Sequence, residues 1–251
     1  INKTADEYLS IWQKDMTFWR MISSKSHLLI TKMIAIAAIR TNMDSISTAV
    51  NQGSLNQQQL LQIQASIKTL AHNEIDLGTT FEYEFKYVMK TLDQTEAEKS
   101  LGLTEWINFY QPKGTLNFNY LHVTKVLKKI SALTTHAYYQ YQESAQYQSD
   151  MSASTLWSPT MLYNPTGKLM ISYAFPAYND YIGRGHDLNG MFYLLKLQIE
   201  IALNPAKNIE QVIAQSQYTN PYTLEPMSYN KDSHSIYFDC MDKHSVCELS
   251  L

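Results

Sequence analysis

Charged residues are scarce in this chain. Among its 251 residues only 17% are Asp, Glu, Lys or Arg, and the formal net charge is −3. Proteins that bind nucleic acid or an anionic membrane surface rely on a clustered surplus of positive charge, which this balance does not provide. We therefore expect no nucleic-acid partner, and no contact with a membrane except through an anchor upstream of the chain.

Long uninterrupted hydrophobic segments are also missing. The most apolar run, from Leu28 to Ile39, has twelve residues and includes Lys32, whereas a membrane-spanning helix needs roughly twenty apolar residues. Hydrophobic residues nevertheless make up 45% of the chain, which is enough for a sizeable core and too many for a disordered protein. The sequence therefore predicts a globular chain, either one large domain or two small ones.

The common catalytic motifs are absent from the sequence. It contains no HExxH, no GxSxG and no dinucleotide-binding glycine fingerprint, each of which places a metal ligand, a nucleophile or a phosphate contact. Glu74, Glu82 and Glu84 do not repeat the Glu-x-x-His pairs of a di-iron bundle. His72 and His136 occur singly, as structural histidines do. We expect no cofactor and no metal, and a binding protein rather than an enzyme.

The segment from Leu28 to Val50 has the clearest helical period in the chain. Ile30, Ile34 and Ala37 make a second side of this helix apolar as well. A helix that is apolar on more than one side must be surrounded by other elements, so we predict that it forms the centre of a bundle. Its first apolar side recurs every three or four residues: Leu29, Met33, Ile36, Ile39, Met43, Ile46 and Val50.

Further helices are predicted on both sides of this segment. An apolar heptad predicts a first helix over residues 3–24, which forms an antiparallel hairpin with the central helix. Ser54 and Gln57 have the spacing of a capping box and begin a third helix. A fourth helix is predicted from about Glu74 to Leu92. Residues 93–104 have no clear period and are predicted to form a loop.

The middle of the chain is predicted to contain one long helix. Pro112 and Gly114 break any helix at their positions, and an apolar face then runs from about Asn117 to Gln146. Residues 148–156 are small and polar, so we place a loop or boundary there. The sequence therefore predicts a helical bundle over residues 1–147.

The remaining segment, residues 148–251, is predicted to combine turns, helices and a sheet. Asn164-Pro165-Thr166-Gly167 suits a type I turn, and the next residues suit either a strand or a helix. Asp187 is placed to cap a helix from Leu188 to Leu203. A shorter helix is predicted over residues 208–215.

Alternating residues follow Asn220 and predict short antiparallel strands near 227–229, 236–240 and 246–249. The predicted fold class is therefore mainly α: a multi-helix bundle with a small C-terminal antiparallel β-hairpin or sheet. We expect the segment 148–251 to pack on the bundle as one globular unit.

The chain has only two cysteines, Cys240 and Cys247. If residues 242–245 form a turn, these cysteines face each other across a hairpin, close enough for a disulfide. The alternatives are two free thiols, or a metal site in which both cysteines act with His244 and His234. We expect the disulfide, and the two alternatives stay open at this point.

The run Gly183-Arg184-Gly185-His186-Asp187 brings a cation, a base and an acid together. The two glycines allow another backbone or a ligand to come close. Neighbouring residues of a helix or strand point apart, so His186 and Asp187 are no catalytic pair by adjacency alone. We take Arg184, His186 and Asp187 as candidate ligand contacts and assign no catalytic residue. The alternative is a loop and helix cap, with Arg184 in a structural ion pair.

Eighteen tyrosines are an unusual feature of the composition. Tyrosine packs its ring inside while its hydroxyl stays hydrated, which accounts for many of them. Tyrosine is also enriched at interfaces, so a tyrosine-rich binding surface is the second interpretation.

The C-terminal tail, from Asn220-Pro221-Tyr222 through Pro226 and Tyr229 to Phe238, resembles the end of uncharacterised extracytoplasmic helical domains of Gram-negative bacteria. Asp187 and Gly190 also suit that pattern. The resemblance implies a periplasmic or otherwise extracytoplasmic location, with an inner-membrane anchor or signal upstream, and it implies the disulfide. Because the chain begins at Ile1, we expect a processed protein.

These observations favour a non-enzymatic binding or scaffold domain of a bacterial envelope protein. Its expected partner is a protein or another cell-envelope component, bound through a tyrosine-rich surface. The first alternative is a hydrolase of unrecognised class with its site near Arg184, His186 and Asp187. The second is a carrier that holds a hydrophobic ligand in a cavity lined by Met33, Ile36 and Trp19.

Overall fold

The structure is a computed structural model that describes residues 5–98, 112–145, 147 and 165–251. These residues are mainly helical, with a three-stranded antiparallel sheet near the C-terminus, which confirms the predicted fold class. The helices described are α1 (Ala5–Lys25), α2 (Leu29–Asn51), α3 (Gln57–Ser66), α4 (His72–Ile75), α5 (Gly78–Glu98), α6 (Pro112–His122), α7 (Lys128–Ser131), α8 (Thr135–Gln142), α9 (Pro165–Leu203) and α10 (Ile209–Gln215). A π-helical segment, Val123–Leu127, joins α6 to α7, and the strands are β1 (Ser228–Asn230), β2 (Ser235–Tyr237) and β3 (Glu248–Ser250).

The chain forms two compact units. Unit 1 consists of Ile1–Ser26, Ile30–Ile75 and Gly183–Leu251, and unit 2 of His27–Leu29 and Asp76–Ile182. Unit 1 therefore joins segments from both sides of the predicted boundary after residue 147. That boundary stays a prediction, because residues 148–164 and the predicted loop at 148–156 lie outside the described residues.

Helices α1 and α2 form the predicted antiparallel hairpin in unit 1. The indole Nε1 of Trp12 donates a hydrogen bond to the carbonyl oxygen of Asn42 at 3.0 Å, and Ile36 and Ile39 on the inner side of α2 are buried. The prediction that the second side of α2 is also covered was wrong. Ile30 and Ile34 are 66% and 51% exposed, so only one side of α2 packs against the core.

Helix α3 begins two residues later than predicted. The capping box is formed by Asn56 and Gln59 rather than by Ser54 and Gln57. The Asn56 side chain accepts a hydrogen bond from the Gln59 amide at 2.9 Å, and the Gln59 side chain accepts one from the Asn56 amide at 3.0 Å. Both pairs have the same spacing, so the sequence pattern alone did not separate them.

The predicted fourth helix is divided in two. Helix α4 ends at Ile75 and α5 begins at Gly78, because the Asp76 carboxylate accepts a hydrogen bond from the Gly78 amide at 2.8 Å and competes with helical hydrogen bonding. The predicted loop at 93–104 was also wrong in its first part, since α5 continues to Glu98. Residues 99–111 lie outside the described residues.

The single long helix predicted from Asn117 to Gln146 is interrupted. The chain instead forms α6, the π-helical segment, α7 and α8, and Thr134 caps α8 by accepting a hydrogen bond from the Ala137 amide at 3.3 Å. Pro112 and Gly114 were predicted to break any helix at their positions, but both lie in α6. Pro112 is the first residue of α6, where its missing N–H costs no hydrogen bond.

Helix α9 replaces the turn and the capped helix predicted in the second half of the chain. Pro165 is its first residue, so the predicted turn at 164–167 was wrong for the residues described. Asp187 lies inside α9 and caps nothing, because its carboxylate binds groups of other segments. Asn208 caps α10, which confirms the short helix predicted over residues 208–215.

The small sheet has strand order β1-β2-β3 and is antiparallel throughout. Ile236 in β2 pairs with Tyr229 and with Leu249, and both Ile236 and Leu249 are buried. Strand β2 ends at Tyr237, so Cys240 follows the strand rather than lying in it. Among the described helices, none combines the length and the apolar character needed to cross a bilayer.

Candidate functional site

The candidate residues Arg184, His186 and Asp187 all lie in α9 of unit 1 but serve different contacts. Arg184 and Asp187 are one helical turn apart and both face the loop of residues 240–247. His186 is buried, and its pKa is lowered to about 4 by burial and, second, by the nearby His72. The prediction that the side chains of His186 and Asp187 point apart therefore agrees with their different surroundings.

Asp187 holds two other segments of unit 1 through its carboxylate. It accepts hydrogen bonds from the Tyr222 hydroxyl at 2.6 Å and from the backbone amides of Met241 and Asp242, both at 2.8 Å. Burial raises the pKa of Asp187 to about 6, although these three hydrogen bonds favour its ionised form. The side chain thus fixes the position of the loop on α9.

Arg184 forms an ion pair with Asp242, in which Nε lies 2.7 Å from Oδ2. The Asp242 carboxylate also accepts hydrogen bonds from the Ser245 hydroxyl at 2.9 Å and the His244 amide at 3.1 Å. Burial opposes the ionisation of Asp242, but these donors outweigh it and lower its pKa. Arg184 therefore forms the structural ion pair that the alternative interpretation of the sequence predicted. Its side chain is still 37% exposed.

The glycines beside Arg184 admit other parts of the chain itself. A β-carbon on Gly183 would lie 3.4 Å from the Asp242 amide nitrogen, and one on Gly185 would lie 3.4 Å from Cβ of Ile75. The sequence predicted a close approach at these positions without identifying what approaches. In the structure, Gly183 meets the loop and Gly185 meets the end of α4.

The loop of residues 240–247 is closed by a disulfide between Cys240 and Cys247, whose Cα atoms are 5.6 Å apart. This confirms the expected pairing and excludes free thiols in this form of the protein. Arg40 of α2 donates a further hydrogen bond to the Val246 carbonyl oxygen at 2.8 Å. The His234 ring instead contacts the Tyr229 hydroxyl at 2.9 Å.

A surface pocket of about 330 Å³ lies between α2, α9 and this loop. Arg184 and Asp187 line it, and His186 does not. The Ser245 hydroxyl donates to the Asp242 carboxylate rather than to a histidine, so the described residues around the pocket provide no paired nucleophile and base. The complete lining is Met33, Ile36, Ala37, Arg40, Arg184, Asp187, Leu188, Asp242, His244 and Ser245.

This pocket also bears on the predicted cavity for a hydrophobic ligand. Met33 and Ile36 belong to its lining, but Trp19 does not, and charged residues share the space with them. Met33 and Ile36 were expected to line such a cavity, but the contribution of Arg40 beside them on α2 was missed. Arg40 lies seven residues after Met33 on the same side of the helix, and it was the available signal that this edge of α2 borders solvent.

Exposed aromatic residues occur in unit 2, on α5 and α6. Tyr83 and Tyr87 are exposed and lie four residues apart, on the same side of α5. Tyr120 of α6 is exposed as well, and its ring lies 5.7 Å from the ring of Phe85. A groove of about 480 Å³ lies between α5 and α6, and Tyr120 lines it, whereas Tyr83 and Tyr87 do not. Its complete lining is Glu82, Phe85, Lys86, Met89, Leu116, Asn117, Tyr120 and Val123.

Other tyrosines fit the first interpretation of the composition. Tyr138 and Tyr222 are buried, and their hydroxyls are hydrogen-bonded to Asn179 and Asp187 respectively.

Comparison with protein-family models, with characterised proteins and with solved structures finds no match for this chain.

Proposed function

We propose that this protein is a non-enzymatic binding domain of the bacterial envelope, located outside the cytoplasm. Its partner is a protein that places apolar side chains in the groove between α5 and α6 of unit 2. The observation that carries the proposal is the pair of exposed side chains that line this groove, Met89 of α5 and Tyr120 of α6, which are 40% and 52% exposed.

The chemistry of this surface supports protein binding. Tyrosine and methionine are enriched in the centres of protein interfaces, where they supply large contact areas. The groove floor is apolar, with Phe85, Leu116 and Val123, and Lys86 and Glu82 stand at its side. Two helices with an apolar groove between them suit an amphipathic segment of the partner.

The contacts of Arg184, His186 and Asp187 support a non-enzymatic role. Arg184 and Asp187 hold the disulfide loop, and His186 is buried away from the pocket that they line. The hydrolase alternative requires His186 to reach a substrate, and it predicts a loss of turnover in His186→Ala.

The extracytoplasmic location is supported by the disulfide, because disulfides persist in oxidising compartments and are rare in the cytosol. Thiol trapping in the native cell tests this part. Cells are treated with N-ethylmaleimide before lysis, and the mass of the chain is measured. We expect no alkylation of Cys240 and Cys247, whereas two modified cysteines in freshly treated cells would contradict the location.

The binding surface is tested by substitution and capture from envelope extract. Met89→Glu and Tyr120→Glu put a charge on the groove, and Met21→Glu is the matched control. Met89 and Met21 are 40% and 42% exposed on helices but belong to different units. We expect one partner to be captured by the wild type and Met21→Glu, and to be lost from both groove variants. Equal capture by all four proteins would contradict the proposed surface.

A further inference from the structure

The two disulfide sulfur atoms in unit 1 lie beside a buried carboxylate. One carboxylate oxygen of Asp187 and the Sγ atoms of Cys240 and Cys247 are all within 4.8 Å of one another. Asp187 and Cys247 are buried, and Cys240 is partly buried. Two cysteine sulfurs and a carboxylate oxygen are donors that a tetrahedral zinc ion accepts.

The Asp187 carboxylate is held by groups without formal charge. Its donors are the Tyr222 hydroxyl and the amides of Met241 and Asp242. A buried carboxylate is costly unless it is hydrogen-bonded and paired with a cation. Hydrogen bonds from such neighbours also fix the direction of carboxylates that bind metal ions. The three hydrogen bonds therefore hold an oriented anionic ligand beside the two sulfur atoms.

We propose that Cys240, Cys247 and Asp187 bind one zinc ion when the disulfide is reduced. The Cα atoms of the cysteines are 5.6 Å apart, so both thiolates reach one ion at the usual Zn–S distance of about 2.3 Å. Water takes the fourth position. This ligand set differs from the one considered from the sequence, because Asp187 of α9 replaces the two histidines.

The conversion requires a dithiol reductant. The dithiol supplies two electrons and two protons, the sulfur–sulfur bond of Cys240 and Cys247 breaks, and two thiols form while the reductant becomes a disulfide. Zinc then displaces the two thiol protons and forms two Zn–S bonds and one Zn–O bond. The loop of residues 240–247 is thus closed by a covalent bond in one state and by a metal ion in the other.

Zinc titration of the reduced full chain tests the proposal. The protein is reduced, the reductant is removed without oxygen, and zinc binding is measured by competition with a chromophoric chelator. We expect one zinc per reduced chain and none for the oxidised chain at the same concentration. Cobalt in place of zinc should give the charge-transfer absorption of thiolate ligands. Absence of zinc binding by the reduced wild type would overturn the proposal.

Variants separate this site from an ordinary pair of thiols. Asp187→Asn removes one ligand, and Tyr222→Phe keeps all three ligands but removes a hydrogen bond that orients the carboxylate. Each is expected to weaken zinc binding at least 10-fold, since such neighbours are worth about 10–100-fold in affinity. Asp239→Asn is the matched control, because Asp239 is an exposed carboxylate next to Cys240 in sequence. If Asp187→Asn does not fold, Tyr222→Phe decides, and affinities equal to that of Asp239→Asn would overturn the proposal.

Discussion

The ring of Phe238 packs directly against the backbone of Gly190 in α9. A β-carbon on Gly190 would lie 2.9 Å from Cε2 of Phe238 and closer still to Cζ. Gly190 and Phe238 both belong to unit 1, where the ring of Phe238 also lies near the ring of Tyr222, with 6.0 Å between centroids. Gly190 thus sets how closely the C-terminal segment approaches α9.

Gly190→Ala is therefore expected to destabilise the protein by about 1–3 kcal/mol, the usual cost of overpacking a core. Gly183→Ala in the same helix is the matched control. Its β-carbon would meet only ordinary contacts, the nearest at 3.4 Å, and alanine in a helix interior is favoured over glycine by about 1 kcal/mol. Urea unfolding should move the midpoint down for the first variant and not for the second. Equal shifts would contradict the packing described.

In the disulfide-bonded protein, His186 and Asp187 should make opposite contributions to the pH dependence of the free energy of unfolding. The folded-state pKa of His186 is about 4, below its ordinary 6.5, so its contribution is complete above pH 6.5 and is lost as the pH falls to 4. The folded-state pKa of Asp187 is about 6, above its ordinary 3.8, so stability is gained as the pH falls through the same window. Each effect amounts to about 3 kcal/mol.

These two effects nearly cancel in the wild type, so substitution should expose each of them. Between pH 6.5 and 4, we expect Asp187→Asn to lose about 3 kcal/mol of stability and His186→Gln to gain about as much, each relative to the wild-type change. Urea unfolding at a series of pH values measures both. Parallel pH profiles for wild type and both variants would show that neither group titrates as described.

The N-terminus of α3 allows a test of its helix cap, which is Asn56 and was predicted at Ser54. Asn56→Ala removes the side chain that accepts a hydrogen bond from Gln59, and we expect a loss of about 1 kcal/mol. Ser54→Ala, at the position predicted from sequence, should change stability by a few tenths at most. Thermal unfolding distinguishes the two positions, and a larger loss for Ser54→Ala would contradict the observed cap.

Local patterns predicted the hairpin of α1 and α2, helix α10, the C-terminal sheet and the disulfide, because each depends on residues close together in sequence. Pro112 and Pro165 were misread because proline marks both the break and the first turn of a helix. The role of Asp187 was out of reach, since its partners Tyr222 and Met241 are 35 and 54 residues away. The exposure of Ile30 and Ile34 shows the same limit: an apolar residue does not reveal whether a neighbour covers it.

Site-specific photo-crosslinking in living cells tests most directly whether the groove of unit 2 binds a partner protein. A photoreactive phenylalanine is placed at position 89 in the groove, and in a second strain at position 21, where Met21 of unit 1 is similarly exposed. We expect one defined crosslinked protein from position 89, lost when Tyr120 is changed to Glu, and none from position 21. The same crosslinks from both positions, or none from position 89, would contradict the proposed surface.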